Sequence, residues 1–205
     1  MDGENFHRLP RVFGFKLPFD KSFHVLMVKT AKDILIKAEI KPLLAYTFSD
    51  EINLLFYKKI DLPFNGKIGR ILSLLSSYAT SSLQFYLLSL GKAKIFPVFS
   101  AQAFKVKSDK KILEYFYWRC SASLRNFLKE YTLKVLRKKF LSLSKEEITK
   151  KLCEKGIILK KLPRWEKYGT IVCYRMDKRK NLTQKSVDFT SEKGRKWLKS
   201  YLKEK

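Results

Sequence analysis

Twenty consecutive residues, 71–90, carry no charge in a chain where 31% of residues are charged. As a helix this stretch is about 30 Å long, enough to cross a bilayer. It must therefore be either a membrane span or a helix packed into a core. Six serines (Ser73, Ser76, Ser77, Ser81, Ser82, Ser89), Thr80 and Gln84 interrupt it, while Ile71, Leu72, Leu74, Leu75, Tyr78, Leu83, Tyr86, Leu87 and Leu90 recur with helical period. The expectation is a mostly buried core helix, with a membrane span as the lesser alternative. Residues 1–11 contain no apolar stretch, so no signal peptide is expected.

The charge outside that stretch is one-sided. The 205 residues hold 44 Lys and Arg against 19 Asp and Glu, a net +25. That is far beyond the magnitude of roughly 2–8 that solubility asks of a small domain. Self-repulsion on this scale points to a polyanionic partner, nucleic acid first and an anionic membrane second. A heat-adapted surface would raise Glu along with Lys, which does not happen here. Residues 133–205 carry 23 Lys and Arg against 8 Asp and Glu, so the phosphate-binding surface is expected there. Trp165, Tyr168 and Trp197 in this third either stack on bases or pack a satellite core. The three cysteines, Cys120, Cys153 and Cys173, form no readable disulfide framework. An intracellular, cytoplasmic setting is the default expectation.

Along the chain, residues 19–40 read as a helix capped by Asp20. Residues 43–48 and 52–57 read as a β-hairpin with Ser49-Asp50-Glu51 at its turn. Residues 95–99 and 103–106 suggest a second strand pair. Ser108 can cap a helix running to about residue 140. Ser144-Lys145-Glu146-Glu147 is a capping box, and Gly156 ends the helix it opens. Residues 170–174 read as a strand, 177–186 as a basic loop and 191–205 as a basic helix. The order is α+β.

In so basic a chain, clustered carboxylates are informative. Adjacent Asp50 and Glu51 repel, and a divalent cation is the usual remedy, with Mg²⁺ taking one or two carboxylates plus phosphate oxygens. The alternative is an ordinary acidic turn. No zinc spacing, Gly-rich phosphate loop or nucleophile elbow is present.

Several short motifs then resemble one family. Asp2-Gly3-Glu4-Asn5-Phe6-His7-Arg8-Leu9 is similar to the Asp-Gly-Arg-x-Phe-His-x-Phe motif of the tRNA-histidine guanylyltransferase family and its Thg1-like relatives, which add nucleotides in the 3′–5′ direction. Pro18-Phe19-Asp20 resembles its Pro-Asn-Asp segment, and Ser49-Asp50-Glu51 its Ser-Asp-Glu hairpin. Phe116-Tyr117-Trp118-Arg119, with Asn126 after it, resembles its Tyr-x-x-Trp-Arg-Gln helix. Pro163-Arg164-Trp165-x-Lys167-x-Gly169 resembles its Pro-x-Trp-x-x-x-Gly segment. The matches run in order over about residues 1–175.

The resemblance implies a palm-like (ferredoxin-like) catalytic domain over residues 1–140, with residues 141–205 as a basic extension packed on it. It implies two Mg²⁺ ions held by Asp2, Gly3, Asp50 and Glu51, with Asp2, Asp50 and Glu51 catalytic. Nucleotide contacts fall to Asn5, Phe6, His7, Lys16, Asp20, Ser49 and Lys67, and RNA contacts to Arg119, Asn126, Arg164, Trp165 and Lys167. GTP or ATP would be the substrates, tRNA the partner, and a homo-oligomer (dimer or tetramer) the assembly. A nucleotide from ATP or GTP would activate the RNA 5′-monophosphate, and the incoming nucleotide's 3′-hydroxyl would attack that activated end.

The chain also departs from the family pattern. Leu17 stands where the family has Lys, Gly66-Lys67 replaces paired arginines, and Leu124-Arg125-Asn126-Phe127 lacks a histidine. A Lys-Asn-Glu segment is missing between Leu152 and Pro163. These departures fall on nucleotide-contact segments and leave the carboxylates in place. A palm fold also puts its first Asp at the end of a central strand. Asp2 follows Met1 directly, so the chain reads as one strand short. Two function classes follow: a nucleotidyltransferase acting on the tRNA 5′ end, or a degenerate RNA-binding relative. A nucleotide cyclase is a third, weaker reading.

Overall fold

A computed structural model describes residues 1–38, 40–57, 62–91, 96–174 and 181–204. β1 (Asp2–Gly3) opens the chain, followed by a 3₁₀ turn at Phe6–Arg8 and the short α1 (Leu9–Phe13). α2 (Lys21–Lys37) leads to the hairpin β2 (Leu44–Phe48) and β3 (Glu51–Leu55). α3 (Ile68–Ser89), β4 (Phe99–Ser100), α4 (Asp109–Tyr131) and α5 (Lys145–Glu154) follow. The chain closes with α6 (Arg164–Tyr168), β5 (Thr170–Tyr174), β6 (Leu182–Lys185) and α7 (Glu192–Lys203).

The strands form two antiparallel sheets, β1-β4 and β3-β2-β5-β6. Met1 links them, because its amine donates to the Ile52 carbonyl at 2.9 Å and its carbonyl accepts from the Ile52 N–H at 3.0 Å. This reciprocal exchange is the hydrogen-bonded pair of an antiparallel ladder. The spatial order is therefore β4-β1-β3-β2-β5-β6. Asp2–Gly3 is itself a short strand between β4 and β3. Sequence periodicity does not reveal a two-residue strand, because tertiary partners alone define it.

Helices cover both faces of the larger sheet. Ala45, Ile52 and Val172 point toward α2 and α3, joining Met27, Ala31, Ile34, Leu75, Ala79 and Leu83 in one core. Leu44, Tyr46, Phe48, Ile171 and Cys173 point the other way, onto Phe116 and Cys120 of α4 and Leu198 and Tyr201 of α7. β2 is buried on both faces, in keeping with its mostly apolar sequence, with Thr47 its one plainly polar residue. β5, from beyond residue 140, pairs with β2, so the two halves of the sequence share one sheet. A third cluster joins Phe127 and Tyr131 to Leu136 and to Ile148 and Leu152 of α5.

The uncharged segment is α3. Among the described residues, no helix is long and apolar enough to cross a membrane. Its buried face is Ile71, Leu75, Ala79, Ser82, Leu83 and Leu87, while Leu74, Leu88 and Leu90 are exposed. The serines do not all lie on the outer side. Ser82 Oγ donates to Asp33 at 2.8 Å and Tyr86 OH does so at 2.6 Å, so one carboxylate of α2 ties the two helices together.

Other expectations need correction. Residues 101–107 form no strand, and of the expected pair only Phe99–Ser100 pairs, with β1; Ile95 lies outside the described residues. The α4 helix ends at Tyr131 in a π turn, Thr132–Leu136, and Arg137 takes φ 78°. Part of the expected basic loop is β6, paired with β5, and residues 177–180 lie outside the described residues. Asp20, Ser108 and Ser144 cap their helices as read, Ser144 with the full capping box.

Candidate active site

The acidic residues meet where β1 joins β3. β2 and β3 are joined by a two-residue loop, Ser49-Asp50, with Phe48 opposite Glu51. Ser49 takes φ 52°, the positive value that tight hairpin turns need at their first position. Asp50 is thereby held at the loop and Glu51 at the first strand position. Extending the Met1–Ile52 register by one residue sets Asp2 opposite Glu51, and by two sets Gly3 opposite Asp50. Directly opposed residues have side chains about 5 Å apart. Gly3 is required on steric grounds: a Cβ there would sit 2.5 Å from the Phe6 ring.

Arg119 of α4 closes the arrangement. Its guanidinium is ion-paired with the Glu51 carboxylate, the two side chains being 15% and 26% exposed. It also lies 4.8 Å from the Trp118 ring centroid. Burial makes Arg119 less basic, an effect that the nearby Tyr46 and Asp2 oppose and Arg125 reinforces. Its Nε is buried without a hydrogen-bond partner among the described residues. Tyr46 OH shares a 2.9 Å hydrogen bond with Ser123 Oγ, and Ser123 Oγ donates to the Arg119 carbonyl at 3.1 Å, so β2 fixes this turn of α4.

Among the described residues, no three His, Cys, Asp or Glu side chains converge as a ready metal cage. The donor set at β1 and the hairpin still fits a hard cation. Asp2 is exposed, the Gly3 carbonyl lies on the same strand and Asp50 is half-buried at the loop. Two carboxylates, with water and phosphate oxygens completing the shell, suit Mg²⁺. Glu51, paired with Arg119, is the least available of the three.

The remaining predicted residues are dispersed. Asn5, in the left-handed conformation (φ 59°), lines an open cavity of about 470 Å³ beside β1, together with Glu4, Arg8, Phe96, Pro97 and Val98. Phe6 is buried, packing edge-on against Phe23 and Phe99, so its ring supports β1 from the core. The side chain of His7 lies outside the described residues. Asp20 is occupied as the cap of α2, accepting from Phe23 N at 3.0 Å and Lys16 N at 2.8 Å. Burial raises its pKa, but the N–H donors of Lys16, Phe23 and Ser22 outweigh it and leave the carboxyl below its usual range. The Lys16, Ser49 and Lys67 side chains are exposed.

Of the expected RNA contacts, Asn126 and Arg164 are exposed. Trp165 stacks on His24 at 4.3 Å, with Phe19 at its edge. Lys167 Nζ donates to the Leu159 and Lys160 carbonyls at 3.2 and 3.3 Å. The sequence singles out Glu51 and Arg119 in separate motifs, but nothing in it signals their pairing across 68 residues.

The family profile described as tRNAHis guanylyltransferase (Thg1) matches residues 1–107, just over half of the chain. An uncharacterized protein of Acanthamoeba polyphaga mimivirus is 26% identical over 211 residues, covering 89% of this chain and 71% of that protein. The tRNA(His) guanylyltransferase of Saccharomyces cerevisiae is 27% identical over 158 residues, covering 75% of this chain and 66% of the yeast protein. A bacterial Thg1-like protein solved in complex with ATP superposes with a TM-score of 0.83 at 23% identity, covering 98% of this chain and 87% of that one, and so shares the fold. The chain belongs to the tRNA-histidine guanylyltransferase (Thg1) family of enzymes.

Proposed function

We propose that the protein is a Mg²⁺-dependent nucleotidyltransferase that adds nucleotides in the 3′–5′ direction to the 5′ end of a tRNA, as guanylylation of histidine tRNA or as 5′-end repair. The observation that carries the reading is the Met1–Ile52 register, which sets Asp2 and Gly3 opposite Glu51 and Asp50 at the β1–β3 junction, on a chain of net +25. The β4-β1-β3-β2 order, with α2 and α3 packed on the sheet, supports a palm-like reading of residues 1–140. Bound Mg²⁺ would draw charge from the reacting phosphates and orient them.

In this reading Asp2, the Gly3 carbonyl and Asp50 supply the oxygen donors, and Arg119 holds Glu51 against β3. The reaction has two steps. An oxygen of the RNA 5′-monophosphate attacks the α-phosphorus of ATP or GTP and pyrophosphate leaves. The 3′-hydroxyl of the incoming nucleotide then attacks the RNA 5′-phosphorus, and the activating nucleoside monophosphate leaves.

Transfer of a labelled nucleotide to a 5′-monophosphorylated tRNA tests the proposal. Labelling should require Mg²⁺, be abolished by chelation and fall below about 1% in Asp2→Asn and Asp50→Asn. Full labelling by either variant overturns the metal assignment. The Glu51–Arg119 pair favours one alternative, a non-catalytic RNA-binding relative, because it withdraws one acidic group from the site. Tight tRNA binding with no label transfer would establish that alternative.

A further inference from the structure

A row of aromatic rings lies beside the acidic site with no assigned role. Trp118 precedes Arg119 and is 53% exposed, and Phe104 is 64% exposed. Tyr115 joins them, its ring 5.2 Å from Phe104 and 5.9 Å from Trp118. Tyr115 is anchored from below by its hydroxyl, which donates to Asn53 Oδ1 on β3 at 2.6 Å. Leaving two large rings this open forgoes about 2 kcal/mol of burial apiece, so their exposure asks for a partner.

The charge around the row says which partner. Arg119 lies over Trp118, and Arg195 lies 5.8 Å from the ring of Tyr117. Trp118, Arg125 and Lys129 are spaced seven and four residues apart on α4, so they share one helical face, and Arg125 and Lys129 are exposed. Aromatic faces flanked by a line of cations match single-stranded or terminal nucleotides, with bases on the rings and phosphates along the cations.

We infer that Phe104, Tyr115 and Trp118 form a stacking shelf for the terminal base of an RNA strand whose phosphates follow Arg125 and Lys129. The shelf is one residue from Arg119, and through it from Glu51. It therefore positions the RNA end at the acidic site, and this part of the inference rests on the nucleotidyltransferase reading.

The test is an acceptor-stem RNA with 2-aminopurine as its 5′-terminal base, titrated without metal or nucleoside triphosphate so that no turnover is involved. Stacking should quench the probe on the wild-type protein. Trp118→Ala and Phe104→Ala should each relieve the quenching and weaken binding by roughly 5- to 150-fold, and Trp118→Phe should restore it. Circular dichroism should show each exposed-ring variant folded. Unchanged quenching and affinity in both folded alanine variants overturns the shelf, as does an RNA-independent change in their sedimentation, which would make the rings a contact between copies. Lost label transfer with quenching intact would sink the nucleotidyltransferase reading alone, and unchanged quenching with label transfer intact would sink the shelf alone.

Discussion

His24 illustrates how one residue's environment decides its chemistry. Its ring is stacked on Trp165 and its Nε2 lies 3.1 Å from Thr170 Oγ1. Burial lowers its pKa from 6.5 to about 4. Between those values the unfolded chain binds a proton that the native state refuses, so stability falls as pH drops from about 6.5 toward 4. This group alone should make the protein about 2–3 kcal/mol less stable at pH 4 than at pH 7. Glu166 contributes with the opposite sign, because burial raises its pKa. The comparison with His24→Phe therefore isolates the histidine: urea unfolding of that variant should show a flatter acid limb. A slope equal to the wild type's would remove His24 from the account. The sequence shows that His24 and Trp165 exist. Their stacking across 141 positions is invisible to any local pattern.

At the scale of elements, the helices were the most readable. The 3.6-residue period and the Asp20, Ser108 and Ser144 caps are local features; α2, α3, α5 and α7 form where they predict, and α4 starts where predicted but ends at Tyr131. The short strands β1, β4 and β6 were not readable, because two to four residues carry no periodicity and only their ladder partners make them strands. The docking of α4 on β3 has the same character. It depends on Arg119 with Glu51 and on Tyr115 with Asn53. Arg119→Met should therefore cost about 1–3 kcal/mol by leaving Glu51 half-buried without its counter-ion. The added change Glu51→Gln should recover part of that loss. Denaturant midpoints measure both, and no recovery in the double variant would show that the pair is not the source of the cost.

Taken as a whole molecule, the chain must confine a +25 charge around three apolar clusters, and among the described residues no Lys or Arg is buried. RNA binding should therefore be steeply salt-dependent. If six to ten phosphates are contacted, tRNA affinity should fall by about 10³–10⁵-fold between 50 and 200 mM salt. A plot of log affinity against log salt concentration with a slope near zero would rule out the electrostatic surface. The sequence by itself determined the net charge, the α+β composition, the capped helices, the Asp50 hairpin and the family resemblance, because charge, period and caps act over a few residues. Only the tertiary structure decided that Met1 pairs with Ile52 and so sets Asp2 beside Glu51. It alone decided that Arg119 faces Glu51, that Trp165 packs on His24, and that Trp118 and Phe104 are left in the open. Those contacts join residues far apart in the chain, and their geometry exists only once the sheet has brought β1, β3 and α4 together.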